Sequence, residues 1–332
     1  MVLSKNYLLS IQPNVVIVLA TYNPNLNFLN QQIQSILSQE FQNWTCLIVD
    51  DASPIATYQK MLKDLSALIS DPRFSIHRYE NNVGACSNFS RGLILAREKF
   101  PTAKYIALSD QDDNWKSHKL KRLVEYLEKN QSTALVHSDS EVIDENNHLI
   151  APSVWKLENR RVQSVKPIGL IFHNKVAGAS CLLKAELVDL ACPIPEQNLY
   201  YQDVWLALQA WRLGTVDSLS EVLQGYRSHR FNVVGVKKKS QNWGLNFYIQ
   251  KAKNHLSRCE TLSQHFLNSF PADTLHTSQN FHKELQDQLR IFEKNTSYFQ
   301  RIQIGLKYLS QWTIQELILF IIILILTRKR SA

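Results

Sequence analysis

Asp110 and Asp112 stand two residues apart, directly after the apolar run Tyr105–Leu108. That spacing lets two carboxylates leave an extended segment on the same side. Their oxygens are hard ligands suited to Mg2+ or Mn2+, and either ion would also take phosphate oxygens from a substrate. An ion held there would stabilise charge developing on a diphosphate leaving group, as a Lewis acid. Two more polar clusters follow apolar runs: Thr21-Tyr22-Asn23 after Val15–Ala20, and Asp50-Asp51-Ala52-Ser53 after Thr45–Val49. A single acidic turn is ordinary, because Asp and Asn favour loop conformations. Three such clusters at strand ends describe one edge of a sheet.

The elements that must carry this edge are legible in the apolar periodicity. Val15–Ala20, Thr45–Val49, Phe74–Tyr79 and Tyr105–Leu108 read as strands. Between them, Leu26–Ser38 has its apolar residues at helical spacing, and a second helix runs from Asn81-Asn82-Val83-Gly84 to about Phe100. This βαβ rhythm predicts an α/β fold, a mostly parallel sheet flanked by helices, with ligands beyond the carboxyl ends of its strands. Further on, Ala134–His137 reads as a strand, Asp144–Asn147 as a turn and Asp203–Leu213 as a helix. From Ser240 the chain reads as helical and polar, which predicts a catalytic domain over 1–239 and a helical C-terminal extension over 240–332.

A chain of 332 residues, 45% hydrophobic, is long enough for a full α/β core and a smaller second region. Its net charge of +8 suggests an anionic partner, and basic residues gather late, at Lys237-Lys238-Lys239 and Arg328-Lys329-Arg330. On charge alone, lipid head groups, nucleic acid and sugar nucleotides all qualify; taken with the motifs, no nucleic-acid partner is expected. Five cysteines, odd in number and without a C-x-x-C pair, argue against a disulfide framework or a structural zinc site. The N-terminus lacks a credible signal peptide. Near the other end, the unbroken apolar run Leu317–Leu326 is about half the length that spans a bilayer. Followed by basic residues, it suits a helix on the cytoplasmic leaflet, so residues 314–330 are expected to associate with the inner face of the cell membrane, with a terminal helix buried in the fold as the alternative. The first glycine is Gly84, which excludes a P-loop or a dinucleotide turn after the first strand. Nucleophile-elbow and H-E-x-x-H motifs are also missing.

Over residues 14–235 the chain resembles the family 2 glycosyltransferases, which have the GT-A fold. The resemblance rests on Val18-Leu19-Ala20-Thr21-Tyr22-Asn23, Val49-Asp50-Asp51-Ala52-Ser53, Asn82-Val83-Gly84 and Leu108-Ser109-Asp110-Gln111-Asp112-Asp113-Asn114-Trp115. It continues through Val176-Ala177-Gly178, Gln202-Asp203-Val204-Trp205-Leu206-Ala207-Leu208 and the segment from Tyr226 to Gly235. The S-D-Q-D-D-x-W form is most similar to bacterial rhamnosyltransferases of surface polysaccharide synthesis.

This resemblance implies roles. Thr21, Tyr22, Asn23 and Asp50 or Asp51 would hold the base and ribose of a dTDP- or UDP-sugar, with Gly84 and Gln111 also on the donor. Asp110 and Asp112 would serve the metal and donor, helped by His229, while Gly178 marks a loop where backbone approaches donor or acceptor. Asp203 matches the family's catalytic base, and one base with direct displacement implies inversion. The implied reaction transfers L-rhamnose from dTDP-L-rhamnose, or alternatively a UDP-hexose, to a growing or lipid-linked glycan. Gln202-Asp203-Val204-Trp205 departs from the His-Asp-Trp-Trp common at this point, which keeps the base but alters packing near Val204. A nucleotidyltransferase would want a glycine- and arginine-rich loop where Ala20-Thr21-Tyr22-Asn23-Pro24 stands. A non-catalytic carbohydrate-binding protein would have no use for both the D-x-D pair and Asp203.

Overall fold

A computed structural model describes residues 13–158, 174–195 and 202–230, with isolated positions at 160, 167, 170 and 232 and parts of 257–325. In chain order the elements are β1 (Val15–Thr21), α1 (Leu26–Leu37), β2 (Trp44–Asp50), α2 (Ile55–Asp64), α3 (Ser66–Ile69), β3 (Phe74–Arg78), α4 (Ala85–Lys99), β4 (Tyr105–Ser109) and β5 (Asn114–Trp115). They continue with α5 (Lys119–Lys129), β6 (Thr133–Ile143), β7 (Leu149–Ala151), α6 (Val154–Leu157), β8 (Cys181–Lys184), α7 (Glu186–Ala191), α8 (Gln202–Ala210), β9 (Thr215–Arg227) and α9 (Tyr298–Tyr308).

The nine strands form one sheet in the order β3-β2-β1-β4-β8-β6-β9-β5, with β7 on β6. Strands β3, β2, β1 and β4 are mutually parallel, and β1 is apolar on both faces because both are covered. Val16 and Val18 join a core beneath α4, while Val15, Ile17 and Leu19 join a second core beneath α1 and α5.

Helix α4 lies so close to the sheet that a Cβ on Gly92 would sit 2.7 Å from Val18 Cγ1 and 3.0 Å from Val49 Cγ2. Gly92→Ala adds up to about 1 kcal/mol of helix propensity, but forces overpacking against two central strands that costs about 1–3 kcal/mol. A net loss of stability in chemical denaturation is expected, and a more stable variant would contradict this packing.

Strand β8 decides where the site forms. It runs antiparallel between β4 and β6, pairing Leu182 with Ala107 and Cys181 with His137. Its first residue therefore lies level with the end of β4 and with His137, midway along β6. The turn before it, Gly178–Ser180, is thereby brought beside Leu108 at the end of β4. Strand β9 runs parallel to β6 and finishes at Arg227, at the same edge.

The strand expected over Ala134–His137 extends to Ile143. Its polar continuation is buried because Asp139 accepts hydrogen bonds from the backbone N–H of Ser140 (2.7 Å) and Trp155 (3.1 Å) and from the Ser153 hydroxyl. Most of the C-terminal extension, Lys237–Lys239 and residues 1–12 lie outside the described residues. Among the described residues, no helix is long and apolar enough to cross a membrane. The apolar run is two-faced where described: Phe320 is buried and its ring lies against Gly305 of α9, while Ile321 and Ile325 are exposed.

Candidate active site

The ends of β1 and β2 are tied into shaped loops. Asp50 accepts from the Thr21 hydroxyl at 3.1 Å and from the Ser53 N–H and hydroxyl at 2.9 and 2.6 Å. Asp51 accepts from the N–H groups of Val83 and Gly84 at 2.9 Å each, from the Asn82 amide at 2.8 Å and from Arg91 at 2.5 Å. Both carboxylates are buried and committed to the loops around them. Asn23 and Ala52 hold left-handed backbone, φ 41° and 58°, a conformation that costs a non-glycine residue about 1 kcal/mol or more. Gly84, φ 83°, turns the chain into α4. Tyr22 is the large side chain that faces solvent at this edge, 49% exposed.

The acidic loop after β4 is fastened on several sides. Gln111 docks on the end of β1, accepting from Tyr22 N–H at 2.9 Å and donating to the Tyr22 carbonyl at 3.3 Å. Gln32 of α1 accepts from the Ser109 hydroxyl (2.8 Å) and the Trp115 indole (3.1 Å), and donates to the Asp113 carbonyl at 2.8 Å. Arg227, fully buried, donates to the carbonyls of Asp112 (2.8 Å) and Asp144 (3.1 Å) and to Gln31 at 2.7 Å, over the Phe28 ring. His229 Nε2 lies 2.9 Å from Asp112 Oδ2, with its ring 5.5 Å from that of Phe28. The sequence-predicted pair is thus joined by its expected histidine.

Burial, helped by the charges of Asp112 and Asp203, pushes the Asp110 carboxyl up to about 7. Among the described residues no three His, Cys, Asp or Glu side chains form a closed metal cage. The residues present fit a divalent ion shared with substrate. One carboxylate and one imidazole nitrogen converge, a second carboxylate is crowded by negative charge that a cation relieves, and the remaining positions suit phosphate oxygens.

Asp203 lies in the first turn of α8, buried. Both its oxygens accept from the Asn174 amide nitrogen (3.1 Å each), Oδ2 also from Gly178 N–H at 3.2 Å and Oδ1 from Val204 N–H at 2.7 Å. Burial raises its pKa above the ordinary carboxylate range, and these hydrogen bonds oppose the rise only in part. A Cβ on Gly178 would sit 3.5 Å from both Asp203 Cβ and Leu108 Cδ1, so this glycine is where α8 closes on the end of β4. Gly178, whose N–H holds Asp203, also stands against Leu108, two residues before Asp110, so the two acids share one region.

All twelve sequence-predicted site residues therefore lie at or beside one sheet edge. Thr21, Tyr22, Asn23, Asp50, Asp51 and Gly84 shape the end near β1–β3, Asp110, Gln111, Asp112 and His229 the middle, and Gly178 and Asp203 the side towards β8. Sequence reasoning gave no role to Arg227, which anchors the metal-side loop, or to Asn174, which orients Asp203. Both work by contacts far apart in sequence; Arg227 stood within the segment that carries the resemblance, but nothing local signalled its role, and nothing signalled Asn174.

Residues 16–177 match the family model described as Glycosyl transferase family 2. The chain is 26% identical over 235 residues to an uncharacterized glycosyltransferase of Haemophilus influenzae, covering 69% of this chain and 70% of that protein. It is 29% identical over 133 residues to a UDP-Glc:alpha-D-GlcNAc-diphosphoundecaprenol beta-1,3-glucosyltransferase of Escherichia coli, covering 40% of this chain and 48% of that one. The fold is shared with a mannosyltransferase from Pyrobaculum calidifontis solved in complex with GDP-Man and Mn2+. That comparison has a TM-score of 0.52 at 13% identity and covers 95% of this chain and 87% of the other. Residues 16–177 thus match glycosyl transferase family 2 on a sheet of GT-A-like fold, and this likeness supports a nucleotide-sugar glycosyltransferase.

Proposed function

We propose that the protein is an inverting glycosyltransferase that moves a hexose from a pyrimidine nucleoside diphosphate to a hydroxyl of a bacterial surface glycan. The observation that carries this reading is the buried Asp203, held by Gly178 and Asn174 on the β8 side of the edge that bears Asp112 and His229.

Asp203 takes the proton from the acceptor hydroxyl as its oxygen attacks the anomeric carbon. The bond from that carbon to the diphosphate oxygen breaks on the opposite face, so configuration inverts. Asp112 and His229, with Asp110, would hold Mg2+ or Mn2+, which would supply charge neutralisation for the departing nucleoside diphosphate. Thr21, Tyr22, Asn23 and Gly84 frame the base and ribose. Asp50 and Asp51 act there by fixing loop shape, since their oxygens already have protein donors. The glucosyltransferase relative, whose name specifies a diphosphoundecaprenol acceptor, supports a lipid-linked acceptor. The exposed Ile321 and Ile325 suit contact with the inner face of the membrane.

Two donors are in contention. The S-D-Q-D-D-x-W motif favours dTDP-L-rhamnose, while the glucosyltransferase relative favours UDP-glucose. Release of nucleoside diphosphate with Mn2+ from dTDP-rhamnose, UDP-glucose, UDP-galactose and UDP-N-acetylglucosamine separates them. Preference for dTDP-rhamnose supports the rhamnosyl reading and preference for a UDP-hexose removes it. Inactivity and lack of binding with every donor would sink the enzyme reading itself.

A further inference from the structure

Lys119 opens α5 and is completely buried, an unusual place for an ammonium. Its Nζ donates to the Ala179 carbonyl and to Gln224 Oε1, each at 2.5 Å, and lies 3.8 Å from the centre of the Trp115 ring. Taking such a charge out of water costs several kcal/mol even after relaxation, and apolar residues replacing a whole buried charged cluster are often as stable or better. Core packing alone therefore does not account for a lysine here. Complete burial also excludes direct contact with donor or acceptor.

The two arms of the ammonium lead to different parts of the site. Gln224, which accepts from Lys119, donates from Nε2 to Asp113 Oδ2 at 3.3 Å, within the loop that carries Asp110 and Asp112. Ala179 belongs to the turn whose preceding N–H, on Gly178, holds Asp203 Oδ2 at 3.2 Å. One buried group is thus hydrogen-bonded, through one intermediary on each side, to the leaving-group side and to the base side. Burial lowers the Lys119 pKa to about 7, against the pull of Asp113 and Asp110, which marks it as electrically part of the acidic cluster.

We propose that Lys119 is a positioning residue that fixes the distance between the acidic loop after β4 and the turn that aims Asp203. This rests on the glycosyl-transfer reading above. In-line displacement needs the base and the leaving group in one fixed alignment. A small displacement of either is enough to lose rate without losing substrate.

The test uses the full chain with Lys119→Met, which keeps length and apolar bulk and removes the donors and the charge. Mn2+-dependent release of nucleoside diphosphate gives kcat and donor KM, and thermal unfolding gives stability. We expect kcat to fall on the order of a hundredfold, with donor KM little changed and the melting temperature lowered, because the Ala179 carbonyl and Gln224 Oε1 lose their donor. In an Asp203→Asn background the same change should cost no more than about threefold, because the alignment it protects is already useless. A loss of equal size in both backgrounds, or wild-type kcat in Lys119→Met, overturns the proposal. Should Lys119→Met not fold, Gln224→Met removes only the Asp113 arm. A fall in its kcat then supports the coupling, and wild-type kcat refutes it. Inactivity of the wild-type chain with every donor would instead count against glycosyl transfer itself.

Discussion

Asp203→Asn is expected to lower kcat by about 10²–10⁴-fold, the range that a positioned general base contributes. The substitution keeps the shape of the side chain and leaves an oxygen for one of the Gly178 and Val204 N–H groups, which meet different carboxylate oxygens, so donor binding should persist. The wild-type pH profile tests the same role from another side. Asp203 works as a base only when ionised, and burial raises its pKa, so activity should start to fall at a pH above the ordinary carboxylate range. The stability linkage has the opposite sense. A raised pKa means the folded state holds the proton more tightly than the unfolded one. The stabilisation this gives is complete below the ordinary carboxylate pKa and disappears as pH rises through the raised value. Near neutrality the Asn variant should therefore unfold no more easily than wild type while turning over far more slowly. An active variant, or one that loses rate only because it unfolds, would exclude Asp203 as the base.

Asp112→Ala should have the second-largest effect, removing the carboxylate that meets His229 at 2.9 Å. Loss of metal stabilisation of a diphosphate leaving group is worth several kcal/mol, so a decline on the order of a thousandfold in metal-dependent activity is expected. The fold should survive, because Arg227 grips the backbone carbonyl of Asp112 and that carbonyl remains. Calorimetric titration of Mn2+ in the presence of nucleoside diphosphate reads the effect directly. Unaltered ion affinity in the variant would move the metal site elsewhere.

How much of this was legible in the sequence depended on whether burial coincided with apolarity. Strands β1, β2 and β4 and helix α1 announced themselves because their buried faces are apolar. The second half of β6 and all of β9 did not. Ser138, Asp139, Ser140 and Gln224 are buried polar residues, and pairing with partners elsewhere in the chain helps to hold Asp139 and Gln224. Outward residues of β9 such as Glu221, paired with Arg122, further obscured its alternation. The metal pair was visible from spacing alone, whereas Asp203 and His229 emerged only through family resemblance, since each lies about a hundred residues away from it. Lys119 was hidden most thoroughly. In Lys119-Leu120-Lys121-Arg122 it looks like one more solvated cation, yet Lys121 and Arg122 face outward to Glu40 and Glu221 while Lys119 points into the core.

The hydrogen bonds around Asp51 carry one further consequence. An α-helix start is a ready anion-binding surface, but the N–H groups of Val83 and Gly84 at the head of α4 already face a carboxylate from the chain itself. Arg78 and Arg91 are likewise engaged by Asp50 and Asp51, and Arg227 by backbone carbonyls and an amide. Near β1–β3 a bare diphosphate would thus meet arginines already answered by the chain's own carboxylates. A donor carrying its own cation would be met more favourably there, so the order of arrival, rather than affinity alone, would govern binding.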